Sequence, residues 1–237
     1  MRNFAIRDSL FLMMRQRAIL LLSASVLSVA VLSTLGVGAA VSGTAPCQPG
    51  KSKLIAADTR SVIYLGEVPE RHGPGYSAYL GCVRGARRAY DVGGPGVGSS
   101  SGAGATRKIT LVGPIVAWEE WEYTGVTGEL GREQWRVLVR DLRTGKLLEE
   151  LPTGTARVNR WVGVGPTLQI IPSSIGAVAW MAAVAGSDSN ELEIHVADAR
   201  GTRLVAAGSD IAPKSLALAG GTVYWTQAGM PRSVSLP

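Results

Sequence analysis

KITLVGPIVAWEEWEY, residues 108–123, reads as strand, tight turn, strand, and then an abrupt run of carboxylates. Ile-Thr-Leu-Val and Ile-Val-Ala-Trp flank Gly113-Pro114, which is the composition of a β-hairpin. The pattern recurs. ITLVGPIVAW (109–118) aligns without a gap on LALAGGTVYW (216–225), and IIPSSIGAVAW, ending at Trp180, carries the same Val-Ala-Trp after a slightly longer turn. Downstream, VRDLRTGKLL (139–148) aligns with VADARGTRLV (196–205) at an offset of 57. Each is a strand ending at an aspartate, a turn bearing Gly145 or Gly201, and a further apolar strand. LGCVRGARRA (80–89) is a weaker member, with Cys82 in the place of Asp141 and Asp198.

The implied unit holds four strands in about 40–45 residues, the size of one propeller blade. Units fall at 54–92, 106–151 and 168–207, with an incomplete one at 215–237. In ELEIHVAD, Leu192, Ile194 and Val196 alternate with Glu191, Glu193 and His195, which predicts one buried and one wet face. QWRVLVRD repeats most of that alternation, whereas the Val-x-Trp strands are apolar on both faces, as inner strands are. No segment after residue 50 shows helical periodicity. The expected fold is therefore all-β, a propeller-like array of about three and a half four-stranded antiparallel blades after an N-terminal hydrophobic helix. The Gly/Ser-rich stretch 93–106 reads as a loop connecting the first two units. Trp118, Trp180 and Trp225 occupy equivalent places and are expected to be core anchors.

These repeats resemble the β-propeller blades of extracytoplasmic proteins, of the TolB-like or quinoprotein-like kind. There a Val-Ala-Trp-like strand precedes an alternating strand and Asp-x-x-Thr-Gly-Lys. Asp141-Leu142-Arg143-Thr144-Gly145-Lys146 matches that pattern best, while Asp198-Ala199-Arg200-Gly201-Thr202-Arg203 exchanges the Gly and Thr. The resemblance spans most of 54–237 and implies binding on loop faces without implying one shared activity. Such an array closes through Lys53–Ala57, or stays open and takes a partner at its edge.

The amino-terminal region sets orientation. Residues 1–17 hold four arginines against one aspartate, so the formal charge of +6 falls to +3 for the remainder. Ala18 to Val41 is an uncharged apolar run whose helix would be about 36 Å long, enough to cross a hydrocarbon core of about 30 Å. It reads either as an uncleaved anchor or as a signal peptide with small-residue cleavage sites near Ala39. In both readings the arginines stay cytoplasmic, 42–53 is a linker, and the 54–237 domain faces outward. Only an uncleaved segment would make the membrane itself a partner. Cys47 and Cys82, the two cysteines, read first as one disulfide closing 35 residues, with two small buried hydrophobes as the alternative.

Several functions find no support. Five lysines and no basic stripe leave no nucleic-acid footprint. Gly98-Ser99-Ser100-Ser101-Gly102 matches G-x-S-x-G by letter but lacks the strand and helix that motif needs, and His72 and His195 are the only histidines. No metal-ligand spacing occurs, and Asp188-Ser189-Asn190-Glu191 lacks the Gly and the terminal Glu of a calcium loop. No cofactor and no catalytic group is expected. The remaining candidates are Glu119, Glu120, Trp121, Glu122 and Tyr123, with Arg157, Arg160 and Trp161 on a later loop. Carboxylates beside aromatics suit a sugar or a cationic group, and the competing reading is a strand end guarded by charge. The expectation is a binding module with a protein or cell-envelope glycan partner. Its alternatives are a loop-face enzyme or sensor subunit, or a fragment completed by another chain.

Overall fold

The computed structural model describes Cys47 and residues 52–69, 75–99, 102–124, 132–154, 157–158, 161–162, 165–184 and 190–237; at 97–99, 102, 124, 132, 157–158 and 161–162 the description covers backbone alone. All of these belong to one compact unit, Val41–Pro237. Every regular element among the described residues is a strand. No helix there is long and apolar enough to cross a membrane, and the expected N-terminal helix lies outside the described residues.

The strands form consecutive antiparallel meanders. β1 (Lys53–Ala57), β2 (Ser61–Val68), β3 (Tyr76–Val83) and β4 (Tyr90–Asp91) make the first sheet. β5 (Val97–Ser99), β6 (Gly102–Val112), β7 (Ile115–Thr124), β8 (Arg132–Asp141) and β9 (Leu147–Pro152) make the second. A small hairpin follows, β10 (Arg157–Val158) with β11 (Trp161–Val162). The third sheet is β12 (Thr167–Pro172), β13 (Val178–Ala183), β14 (Leu192–Asp198) and β15 (Gly201–Gly208). The fourth is β16 (Ala217–Ala219), β17 (Thr222–Gln227) and β18 (Met230–Ser235). Strand order within each sheet follows chain order, and no sheet closes on itself.

Short turns set these registers. Val112 pairs with Ile115 across Gly113-Pro114, and Ala219 with Thr222 across Gly220-Gly221. Because side chains alternate across a pleat, each register decides which residues meet the neighbouring sheet. Ile63 of the first sheet and Val92, just after β4, pack on Val116, Trp118 and Leu138 of the second. From the opposite face of the second sheet, Ile115, Ala117, Val137 and Val139 meet Ile170, Val178 and Trp180 of the third. Ala179, Met181, Ile194 and Val196 then meet Val223 and Trp225 of the fourth, with Leu236 just after β18. The sheets are thus layered face to face in chain order. Trp118, Trp180 and Trp225 are all buried, and each points toward the sheet that precedes its own. Tyr64, in Val62-Ile63-Tyr64, takes the same place in the first sheet and is buried with Cys82. A disulfide joins Cys82 to Cys47, with Cα atoms 5.8 Å apart.

Two sequence expectations require correction. Residues 93–106 are not a loop throughout: β5 and the start of β6 lie inside them, and Gly102–Thr106 pair with Glu120–Thr124. Gly and Ala carry no apolar alternation to read, yet their backbones complete the ladder that β7 offers, a tertiary effect that overrides composition. The wet face expected for β14 is also absent, since Glu193 and His195 are only 6% and 3% exposed. β14 is an interior strand lying between two sheets, so both of its faces are covered.

Candidate functional site

The carboxylate run of the opening hairpin lies on β7, at the centre of the second sheet, and the pleat divides it. Glu119, Trp121 and Tyr123 point to the face that meets the third sheet, and Glu120 and Glu122 to the other.

Glu119 is structural. It is 0% exposed, and its Oε2 accepts hydrogen bonds from the Thr167 hydroxyl at 2.6 Å and from the Thr167 backbone N–H. Lys108, at a bulge in β6 with φ of 48°, donates from Nζ to the Thr167 carbonyl. These contacts fasten the second sheet to the first strand of the third. The reading of Glu119 as a surface ligand group is therefore overturned: the third sheet covers it.

Beyond Glu119 the same face opens. Trp121 lies across from Trp135 in the β7–β8 ladder, with ring centroids 6.0 Å apart and planes tilted by 43°. The Arg107 guanidinium sits over both rings, 5.7 Å from the Trp121 centroid and 5.3 Å from that of Trp135. Trp121 Nε1 donates to Glu133 Oε1 at 2.6 Å. Tyr123, opposite Glu133 and 37% exposed, borders the cluster. Its components are two half-buried indoles, one exposed guanidinium and a carboxylate: apolar flat surface beside polar groups with free valences. That combination suits the alternating C–H and O–H faces of a sugar ring, or a flat cationic group. β11, which contains Trp161, packs beside β8. Arg160 and the side chains of Arg157 and Trp161 lie outside the described residues.

On the opposite face Glu120, Glu122 and Glu150 surround Arg136. Its NH2 lies 2.9 Å from Glu122 and 3.7 Å from Glu120, and its NH1 lies 2.5 Å from Glu150. Burial raises the Glu120 pKa above the ordinary carboxylate value, against the pull of Arg136 and assisted by the neighbouring carboxylates. One guanidinium for three acids leaves a negative excess on this side.

Sequence reading alone missed Arg107, Glu133, Trp135, Arg136 and Glu150. The β7–β8 register, in which Thr124 pairs with Arg132 and hence Trp121 with Trp135, finds Glu133, Trp135 and Arg136, while Arg107 and Glu150 enter through the β6–β7 and β8–β9 registers. The β7–β8 register depends on the intervening loop and not on local composition.

The remaining sequence candidates separate cleanly. Gly98 and Ser99 belong to β5, and Ser99 pairs with Gly102, so the G-x-S-x-G letters sit in a β-hairpin without a following helix; Ser100 lies outside the described residues. His72 and Asp188-Ser189 are likewise outside them. His195 is buried, stacked on Trp180 at 5.1 Å and 10°, with Nε2 2.8 Å from Glu193 Oε2. Burial lowers its pKa below 6.5, although the hydrogen bond and charge of Glu193 act the other way. Among the described residues no group of three or more His, Cys, Asp or Glu side chains is placed to hold a metal ion. Compared with known proteins, the chain matches no family model, no curated protein and no solved structure.

Proposed function

We propose that this chain is an extracytoplasmic binding or interaction module, membrane-tethered through residues 18–41 or secreted, built as a propeller-like stack of blades. Its binding surface is the exposed cluster of Arg107, Trp121, Tyr123, Glu133 and Trp135. The observation that carries the reading is the arrangement of Trp121 and Trp135 beneath Arg107 at a sheet surface. Indoles at equivalent depth elsewhere, such as Trp118 and Trp180, are spent on core packing, whereas these two keep exposed area. A cell-envelope glycan is the ligand class this chemistry favours, with a protein partner as the alternative occupant.

Support for the blade-like reading comes from the layered, in-order antiparallel sheets and from the Trp that each of the last three directs toward the sheet before it. Sedimentation with insoluble cell-wall glycan tests the site. Trp121→Ala and Trp135→Ala should each release the protein, and unchanged sedimentation of both rules the surface out.

One observation favours a partner-completed array as a second reading. The fourth sheet has three strands, and the side away from the core leaves Tyr224 44% exposed. Size-exclusion mass separates the two readings, because a clean monomer contradicts completion by a second chain.

A further inference from the structure

A second surface lies at the turn ends of the first two sheets. Two adjoining clefts of about 340 and 320 Å³ share Val83 and Arg143. Arg60 and Arg84 line one, Arg87 and Arg88 the other, and no acidic residue lines either. All five arginines are exposed. The nearby acids are already engaged. Asp58 accepts the backbone N–H groups of Arg60, Ser61 and Gly113, and Asp141 is held by Arg143. Arg84 donates to the Asp58 carbonyl and Arg88 lies over the Tyr90 ring, while none of Arg60, Arg84, Arg87 or Arg88 has a carboxylate partner among the described residues. The result is a strongly cationic concavity on a chain whose overall charge is modest.

Position on the chain points to an occupant. Arg84 is two residues beyond Cys82, which is bonded to Cys47. The apolar run ends at Val41, six residues before Cys47. At about 3.4 Å per residue, six residues reach at most about 20 Å. With 18–41 in the bilayer, Cys47 and the β3 residue bonded to it are therefore tethered within about 20 Å of the membrane surface. Guanidinium groups bind phosphate in bidentate fashion and tolerate partial desolvation better than ammonium groups.

We propose that the arginine-lined cleft formed by Arg60, Arg84, Arg87, Arg88 and Arg143 is a docking surface for the anionic phospholipid headgroups of the membrane that carries the chain. This rests on the tethered form of the function proposed above. At a leaflet rich in anionic lipid each arginine contributes roughly fivefold in partition, lost at high salt.

Arginine footprinting on the full chain tests this. Phenylglyoxal modification of Arg87 and Arg88 is followed by mass spectrometry with the chain in phosphatidylcholine vesicles and in vesicles containing about one third phosphatidylglycerol. Arg232, exposed on β18, is the internal reference. The expected result is modification slowed several-fold at Arg87 and Arg88 by the anionic vesicles only, reversed by half-molar salt, with Arg232 unchanged. Equal rates in both vesicles overturn the proposal. So does equal slowing by inorganic phosphate or polyphosphate on the detergent-solubilised chain, which would mark a small-anion or soluble-polyanion site. Flotation with neutral vesicles reads the anchor separately. A chain that floats only with anionic vesicles, reversibly in salt, contradicts tethering and still supports headgroup docking.

Discussion

Asp141 and Asp198 show how one residue type organises two equivalent turns. Each carboxylate accepts a backbone N–H two residues on and is gripped by one arginine, Arg143 or Arg203. Those bonds hold both aspartates below the ordinary carboxylate pKa. The exchange of Gly and Thr between the two turns has a geometric cause. Asp198 pairs directly with Gly201, whereas after Asp141 the longer turn places its positive φ at Gly145. The surroundings differ as well: a Cβ at Gly145 would lie 2.0 Å from a Tyr90 ring carbon, while at Gly201 it meets nothing within 4 Å. Gly201→Ala should cost about 1 kcal/mol from its φ alone, and Gly145→Ala at least twice that, measured by urea unfolding; equal costs would contradict the Tyr90 contact. Acid should destabilise the domain in two stages. His195 resists protonation when folded, so between pH 6.5 and its lower folded pKa the unfolded chain binds more protons and stability falls as pH falls. Asp141 and Asp198 stabilise the fold above their unfolded pKa near 3.8, and that contribution is lost as pH drops through their lower folded values. His195→Gln should flatten the upper stage alone; an unaltered pH 7.5-to-5.5 difference in unfolding midpoint would exclude His195 as its source. The burial of His195 and Glu119 was not legible in the sequence, because the sheets that cover them are distant along the chain.

At the level of elements, all-β character was legible from alternation and from Gly-bearing turns, since both are local. The strand nature of Gly102–Thr106 was not, because it arises only when β7 is present to pair with it. The division of Glu119 from Glu120 follows from strand alternation, but which of them is buried depends on Thr167 in another sheet. That contact makes Glu119→Ala a test of how the second and third sheets are fastened. It strands the Thr167 N–H and hydroxyl, at an expected cost of about 1–3 kcal/mol. Trp180→Ala removes a fully buried indole that also donates to the Thr153 carbonyl at 2.7 Å, and should cost about 3–5 kcal/mol. Urea unfolding of the two variants gives both values; a Trp180→Ala protein as stable as wild type would contradict the packing of the third sheet on the second.

At the scale of the described domain, the four larger sheets, layered in chain order, place the aromatic cluster and the arginine cleft on separate surfaces of one scaffold. The disulfide ties the chain before the first sheet to its third strand, and reduction should lower stability by about 3–4 kcal/mol on the chain-entropy model. Unfolding midpoints with and without reductant check this, and an unchanged midpoint would show that the crosslink constrains little of the unfolded chain. The proposed binding surface, unlike the fold class, draws on residues that only tertiary structure assembles: Arg107, Trp121 and Trp135 come from three strands. The most direct measurement is sedimentation of the full chain with insoluble cell-wall glycan, comparing wild type with Arg107→Ala and Trp121→Ala variants of matched thermal stability. The account predicts wild-type sedimentation and at least tenfold weaker association for each variant; variants that sediment like wild type, or a wild type that stays in the supernatant, would contradict it.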